Sequence, residues 1–431
     1  MTHRVAATVL MLSLLGPALA RGDSPSAGPP LANLTLQRAL SLADAGSPLL
    51  AAAEAETRAR RGRLRQAGLT PNPELSITEA NLLNDRLSGF DGRASTYELE
   101  QPIELGGRRA ARKEAARAAT DLAGIDATVA RLEVRAATTH AFQATLAATE
   151  RVRIARAALE LAERVEGVAR ARVEAGRIAP IEESRASILV ASARIELERL
   201  SAELELDLSR LAATWGSAPQ VASVEGSLEV ASPLPPLETL QSLLVDRPDV
   251  SRWSAILRER NALTRQARAE GSPDFSLTGG WTNYQDAGES AWLFGVRIGL
   301  PLANRNQGAV SEALALREKA DAERRGAEVE VRFRLASAHR RASLSAATAQ
   351  ALATEVLPAA RLTFDSVTEG FEAGKLPYLD VLDARRTLLD AERQHLEAVA
   401  TQQQAHAEVL RLVGDITQPG SDGGTPAGVT P

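Results

Sequence analysis

Four histidines in the body of the chain, His140, His339, His395 and His406, lie far apart along Ala/Glu/Arg-rich segments. None stands four residues from another, the spacing that aims two imidazoles from one helix face at a metal. They read as solvated or seam histidines, not ligands. There is no cysteine, which removes thiolate nucleophiles, thiolate metal sites and a disulfide framework. Gly106-Gly107 lacks the spacing and the Lys-Ser/Thr ending of a phosphate loop; it reads as a pair that eases a bend from strand to helix. No Ser/His/Asp arrangement is legible. The sequence therefore predicts no catalytic residue, no metal site and no cofactor. The charged residues that remain conspicuous follow a repeated Glu-Ala-Gly turn. They are Asp380 and Asp383 in the second copy, and Glu182 and Arg185 at the same places in the first. Carboxylates beside a helix N-terminus are favoured by its dipole whatever else they do.

The elements that must position these residues begin with the compartment. Arg4, the apolar run Val5–Leu15 and the ending Ala18-Leu19-Ala20 form a secretory signal, with cleavage expected after Ala20. The run is too short to span a bilayer as a helix, and no later apolar stretch is long enough either. Any insertion must then use strands closed into a barrel. The formal net charge of -5, with Arg interleaved with Glu, gives no basic groove and no expectation of nucleic-acid binding.

An internal repeat organises the chain. Glu174-Ala-Gly-Arg177 returns as Glu372-Ala-Gly-Lys375, Pro73-Glu-Leu-Ser as Pro273-Asp-Phe-Ser, and Gln101-Pro102 as Leu300-Pro301. Landmarks recurring in order at about 200 residues mark a duplicated unit. Each unit starts with a helix after a proline: Leu49 to Gln66, and Val250 to Ala269. Two strands follow in each. Asp274–Tyr284 and Trp292–Leu300 alternate with one apolar face; Glu74–Leu82 and Thr96–Gln101 are weaker, with Leu75, Ile77, Tyr97 and Leu99 on that face. Glu98 and Glu100 then point to a wet interior. Long helical stretches follow, Arg108 to Val173, and Ala309 to Glu369 interrupted by Gly326 and Pro358. Return helices run from Ile181 to Thr214 and from Tyr378 to Val413. Leucines at seven-residue steps (Leu197, Leu204, Leu211; Leu382, Leu389, Leu396) predict a coiled seam.

With these residues in place, the chain resembles the TolC family of outer-membrane efflux proteins from about Leu34 to Gly414. Gly374-Lys-Leu-Pro-Tyr-Leu-Asp-Val-Leu-Asp-Ala384 is similar to that family's segment after its second periplasmic turn. Gln101-Pro-Ile-Glu-Leu-Gly-Gly-Arg108 resembles the strand-to-helix junction of the branch that serves heavy-metal pumps. The resemblance implies a mainly α protein with a small β part. Each protomer of a homotrimer would give four strands to a shared twelve-stranded barrel in outer-membrane lipid, and long helices to a periplasmic tunnel. It implies a periplasmic adaptor, an RND-type inner-membrane pump, and a passive exit duct for heavy-metal cations. A duct for drugs or type I protein secretion stays open beside it, as does a periplasmic coiled-coil scaffold of another class. Asp380 and Asp383 match the gate carboxylates, with Glu182 as a second acidic ring and Arg185 in place of the acid. Leu376 stands near the family's basic residue, so a closing salt bridge there is not expected. Gly176, Arg177, Gly374 and Lys375 form the turns expected to meet the adaptor, and Trp281, Trp292, Tyr97 and Tyr284 the aromatic girdle.

The expected organisation is a signal (1–20), a flexible leader (21–33), a first repeat (34–216), an equatorial connection (217–247), a second repeat (248–414) and a C-terminal tail (415–431). Segments rich in Pro and turns near 34–45 and 217–245 are expected to form a belt. The second half carries the fuller motif and is expected to hold the moving hairpin, with the first half the steadier wall.

Overall fold

The computed structural model describes residues 31–80, 93–216, 221–285 and 288–413. The signal, residues 21–30 of the leader, residues 217–220 of the connection and the tail lie outside the described residues. In chain order the elements are α1 (Leu36–Gly46), α2 (Pro48–Ala67), β1 (Glu74–Ala80), β2 (Ala94–Ile103), α3 (Arg108–Glu174), α4 (Pro180–Ala213) and α5 (Leu237–Ser242). Then come α6 (Pro248–Glu270), β3 (Asp274–Tyr284), β4 (Glu289–Gly299), α7 (Gln307–Ala351), a π turn (Leu352–Val356), α8 (Leu357–Glu372) and α9 (Tyr378–Val413). The duplicated helix–strand–strand–helix–helix grammar is present in both halves.

The strands form one antiparallel sheet in the order β1-β2-β3-β4. Each continues into one helix, and those helices pack in the same order, α2-α3-α6-α7. Toward the other end α4 takes the place of α2 beside α3, and α9 replaces α6 between α3 and α7–α8. The result is a wall one layer thick. At 67 residues, α3 is about 100 Å long.

The bends between strand and helix use left-handed backbone in both halves. Gly107 (φ 73°) precedes α3 and Asn306 (φ 61°) precedes α7. Gly106 is also left-handed, and a Cβ there would fall on the Ser272 side chain. Gly106→Ala should therefore destabilise the junction by more than the ~1–2 kcal/mol of the backbone term alone; a lowered midpoint in thermal melts of the detergent-solubilised protein checks this.

The core is built mainly of small residues, because a thin wall leaves little depth to fill. Along α3 the buried positions include Ala115, Ala123, Ala147, Ala155, Ala162 and Ala169. Thr138, Thr139 and Thr145 donate their hydroxyls to the carbonyls four residues back at 2.8–2.9 Å, so they pack without an orphan group. Larger side chains cluster where layers thicken: Leu34, Phe142, Leu211 and Trp215 at the α1 strap, and Leu240, Leu335, Val409 and Leu412 under α5.

Several sequence expectations are corrected. Residues 34–45 are not turn-rich; most are α1, capped by Thr35 Oγ1 accepting from Arg38 N at 3.4 Å and anchored by buried Ala39, Leu40 and Ala43. β2 is longer than Thr96–Gln101 because β1 and β3 pair with it on its two edges. β4 begins at Glu289 rather than Trp292, its polar start carried by pairing with β3. Of the leucine heptads, Leu197 and Leu204 pack beside Val152, Ala155 and Leu200. In α9 Leu396 is buried along with Val381, Ala384, Ala391, Val399 and Val409, while Leu382 and Leu389 are half-buried.

Candidate functional site

The tip of the wall is set by two glycine turns. α3 ends at Gly176 (φ 66°), whose N–H donates to Val173 O at 2.9 Å, while Arg177 N reaches Arg172 O at 2.9 Å. α8 ends in the same way at Gly374 (φ 78°), with bonds from Gly374 N to Phe371 O and from Lys375 N to Gly370 O, both 2.8 Å. This is the 6→1 and 5→2 pairing that ends a helix where only glycine fits without strain. Pro180 and Pro377 then start the return helices.

The structure brings both turns to one end and packs them over a shared core of Val165, Ala169, Ala186, Phe364, Phe371 and Val381. Arg172 ties them together. Its guanidinium donates to the carbonyls of Phe371 and Glu372 (2.9 Å for Glu372) and sits 4.2 Å from the Phe371 ring centroid. Nothing in the linear motif announced this residue; it is one of several arginines on α3 until the second hairpin is folded against it.

Asp380 and Asp383 are exposed on α9. Arg185 bonds Glu182 of its own helix at 3.0 Å, which leaves one buried Glu182 oxygen without a partner in this chain. Leu376 folds back onto Gly370, where a Cβ would meet it at 2.6 Å. Arg170 spans to Glu183 at 3.1 Å. The acids are thus on the tip but not in contact with one another within one chain.

At the opposite end the register resolves the apolar face. Ile77, Tyr97, Trp281 and Trp292 align across the sheet as one row, Tyr97 and Trp281 stacking at 5.8 Å. Beneath it lie Leu75, Leu99, Gly279 and Phe294, then Leu277 and Val296, then Ile103, Phe275 and Ile298. The rows cover about 20 Å at a strand's rise per residue. Trp292 is 76% exposed and Phe294 81%, which water would not tolerate over so large a patch. Tyr284 does not join this row. It pairs with Ala94 and Glu289 one residue out of step, on the other face. That face is polar: Ser276 Oγ donates to Glu100 at 2.6 Å, and Arg297 pairs with Glu100 at 2.8 Å.

The helical wall also has two distinct faces. The connection after Val221 crosses one of them. Gln402 and Gln403 donate to Ala231 O and Glu229 O at 3.3 and 2.5 Å, and His339 Nε2 lies 3.1 Å from Pro235 O. On the other face a line along α3 (Arg112, Ala119, Asp126, Glu133 and His140, at seven-residue steps) borders three successive grooves. The first groove shares Pro71 and Glu104 with a hollow that reaches Glu100, Ser276 and Arg297. The uncovered helix face is therefore continuous with the polar sheet face.

Among the described residues no group of three or more His, Asp and Glu could hold a metal, and no helix is long and apolar enough to cross a membrane. Burial pushes the His140 imidazole below its ordinary value, Arg411 adding to this and Glu408 opposing it. His406 is lowered by burial too, against the Ser232 backbone. A histidine kept neutral by the fold binds its proton more readily when unfolded. Stability should therefore be full above the ordinary value near 6.5 and fall as pH drops through it. Replacing both histidines by Gln should flatten that loss, as read from thermal melts between about pH 5 and 8.

Comparison with known proteins agrees with this geometry. Cobalt-zinc-cadmium resistance protein CzcC of Cupriavidus metallidurans is 37% identical over 390 residues, 90% of this chain and 91% of that protein. Nickel-cobalt-cadmium resistance protein NccC of Alcaligenes xylosoxydans xylosoxydans is 29% identical over 69% of this chain and 66% of its own. Among solved structures, CusC aligns with a TM-score of 0.75 at 18% identity, covering 88% of this chain and 91% of that one. The outer membrane protein VceC of Vibrio cholerae aligns at 0.74 and 22%, covering 88% and 96%. Residues 39–217 and 239–415 each match the outer membrane efflux protein family. A duplicated wall with a lipid-facing apolar sheet at one end, an uncovered helix face continuous with the sheet's polar face, and paired turns at the other end belongs to that family, and this chain is a member of it, an efflux channel of the outer membrane that extends into the periplasm.

Proposed function

We propose that this channel is the passive exit duct of a tripartite system that exports heavy-metal cations, performs no reaction and takes its energy from an inner-membrane pump. The observation that carries the cargo is the near full-length likeness to a cobalt-zinc-cadmium resistance protein. The absence of a metal-holding cluster among the described residues does not bear on it, since a duct need not bind what it passes. A pyoverdine export outer membrane protein of Pseudomonas aeruginosa, 28% identical over 86% of this chain, keeps a duct for cargo other than metal cations, such as drugs, as the second reading. Deleting the gene should sensitise the host to cobalt, zinc and cadmium and leave its tolerance of hydrophobic drugs unchanged. The reverse pattern would favour the second reading.

Homotrimeric assembly is supported by what one chain leaves open. β1 and β4 each have a neighbour on one edge only, a state lipid does not permit. The free helical edges are apolar as well. α4 exposes Ile181, Ile188 and Ile195 at seven-residue steps, and the α7–α8 edge exposes Val329, Phe333, Leu344 and Leu362. Unlike edges that fit head to tail close into a ring when the rotation allows. The turns at Gly176, Arg177, Gly374 and Lys375 would be the surface presented to an adaptor and an RND-type pump.

In such a ring Asp380 and Asp383 would repeat around the tip as like charges, with Glu182 and Arg185 on the neighbouring hairpin. Asp380→Ala with Asp383→Ala should raise single-channel conductance or cation leak in planar bilayers; unchanged conductance and selectivity would remove the gate role. The second hairpin is the mover in this reading. α3 is unbroken, whereas its counterpart carries the π turn Leu352–Val356 with Pro358 just after it, a local weakening of the helix ladder at which a segment can swing.

A further inference from the structure

The face of the wall crossed by the connection is the outer one, since the opposite face continues the polar side of the sheet. Just below the apolar rows that outer face carries six exposed cations: Arg58, Arg61 and Arg65 on α2, Lys113 and Arg117 on α3, and Arg268 on α6. None of the six has an ion-pair partner among the described residues. Two acids near them are engaged elsewhere: Glu114 accepts from Arg265 at 2.7 and 3.0 Å, and Glu54 lies 3.9 Å from Arg131, which leaves exposed Asp121 as a single acid beside the six cations. Farther down the wall the pattern changes. Arg153, Arg199 and Arg393 are each paired with acids on their own helix. Arg164 and Arg386 farther down are exposed without an acid partner as well, so what distinguishes the membrane end is that six such cations stand together there.

Its height is informative. Arg65, Lys113 and Arg268 stand within about two helical turns, ~10 Å, of the strand ends. A headgroup layer is roughly 5–8 Å deep on each side of the hydrocarbon, and long cationic side chains reach along the wall toward it. The aromatic row closes the other end of the apolar band, which leaves this end for the periplasmic leaflet.

We propose that the collar binds the phosphate groups of anionic phospholipids in the periplasmic leaflet of the outer membrane and so fixes the depth of the channel. The partner is identified by charge and by continuity with the lipid-facing rows. Arginine suits the task because its planar fork takes two phosphate oxygens at once.

The test uses the full chain in neutral detergent, mixed with phosphatidylglycerol or phosphatidylcholine, with retained lipid counted by native mass spectrometry. The parent should retain phosphatidylglycerol preferentially, and less so at high salt. The variant R61Q/R65Q/K113Q/R117Q/R268Q should lose at least about tenfold in apparent affinity, on the order expected for several cations near a headgroup. A control that removes charge from the uncovered face, R334Q/R341Q, should keep the preference. Equal retention of the two lipids by the parent would overturn the proposal, as would an unchanged preference in the collar variant or an equal loss in the control. Displacement by inorganic phosphate at matched ionic strength would also overturn it, showing a free-anion site instead. Planar-bilayer conductance of all three proteins separates failure of the collar from failure of the channel reading.

Discussion

Phe294→Arg should abolish stable insertion of the channel into the outer membrane. Phe294 is in register with Gly279, one row below Trp281 and Trp292, with Val296 and Ile298 below it again. It is therefore inside the apolar band and not at its rim. An arginine near the middle of a lipid-facing strand costs about 2–4 kcal/mol, falling toward zero at the interfaces. In a ring of three chains the cost is met three times. The expected result is loss of the protein from the outer-membrane fraction and its accumulation in the periplasm. Tyr284→Arg is the contrasting variant, because the register puts Tyr284 on the polar face at the strand's end. It should insert normally. If Phe294→Arg fractionates with the membrane as the parent does, the face assignment is wrong.

Arg172→Ala should open the tip. The side chain contributes two charge-assisted bonds to the end of α8 and a cation–π contact with Phe371. Hydrogen bonds to charged groups contribute about 1.5–3 kcal/mol each, and a cation–π contact about 0.5–2. Removing them should raise the open population by at least about tenfold, the equivalent of 1.4 kcal/mol. Because α3 is continuous and the second half has its π turn, the movement should fall on the second hairpin. Spin labels on each turn should show a broadened distance distribution at Lys375 and a narrow one at Arg177, alongside higher single-channel conductance. Arg172→Lys keeps the charge but not the fork or the stacking plane, and should be intermediate. Equal broadening at both turns would remove the assignment of a moving and a static hairpin.

Much of this was legible in the residues alone, for reasons of period and punctuation. Alternation fixed β3 to the residue, Asp274–Tyr284, since a half-exposed strand has a period of two and Gly/Pro neighbours mark its ends. Prolines at helix starts and glycines at helix ends placed α2, α6, α4 and α9 to within two residues. The duplication was carried by the same punctuation, and the Gln-Pro-Ile-Glu-Leu-Gly-Gly and Asp-Val-Leu-Asp-Ala segments pointed to the family.

What the sequence left undecided depends on neighbours. The extent of β2 came from two flanking strands, not from its own weak alternation. The α1 segment read as turn because its apolar face is explained only by the distant residues Phe142, Leu211 and Trp215 with which Ala39 is buried. The heptad of α9 held at Leu396, which is buried, whereas Leu382 and Leu389 stay half-buried because the small side chains of Ala384 and Ala391, with Val381, fill the seam. Tyr284 was grouped with the girdle by residue type, and only pairing parity moved it to the other face. The tip shows the limit most clearly. The sequence supplied Asp380, Asp383, Glu182 and Arg185 as residues of interest, since charge and position at a helix start are local properties. It could not supply Arg172, whose partners are nearly two hundred residues away. No catalytic arrangement was legible at the outset, and the charged residues that stood out instead were the four at the tip. The tertiary structure put them at one end of a wall whose uncovered helix face continues, at the other end, into the polar face of the sheet, because helix order and strand order are the same.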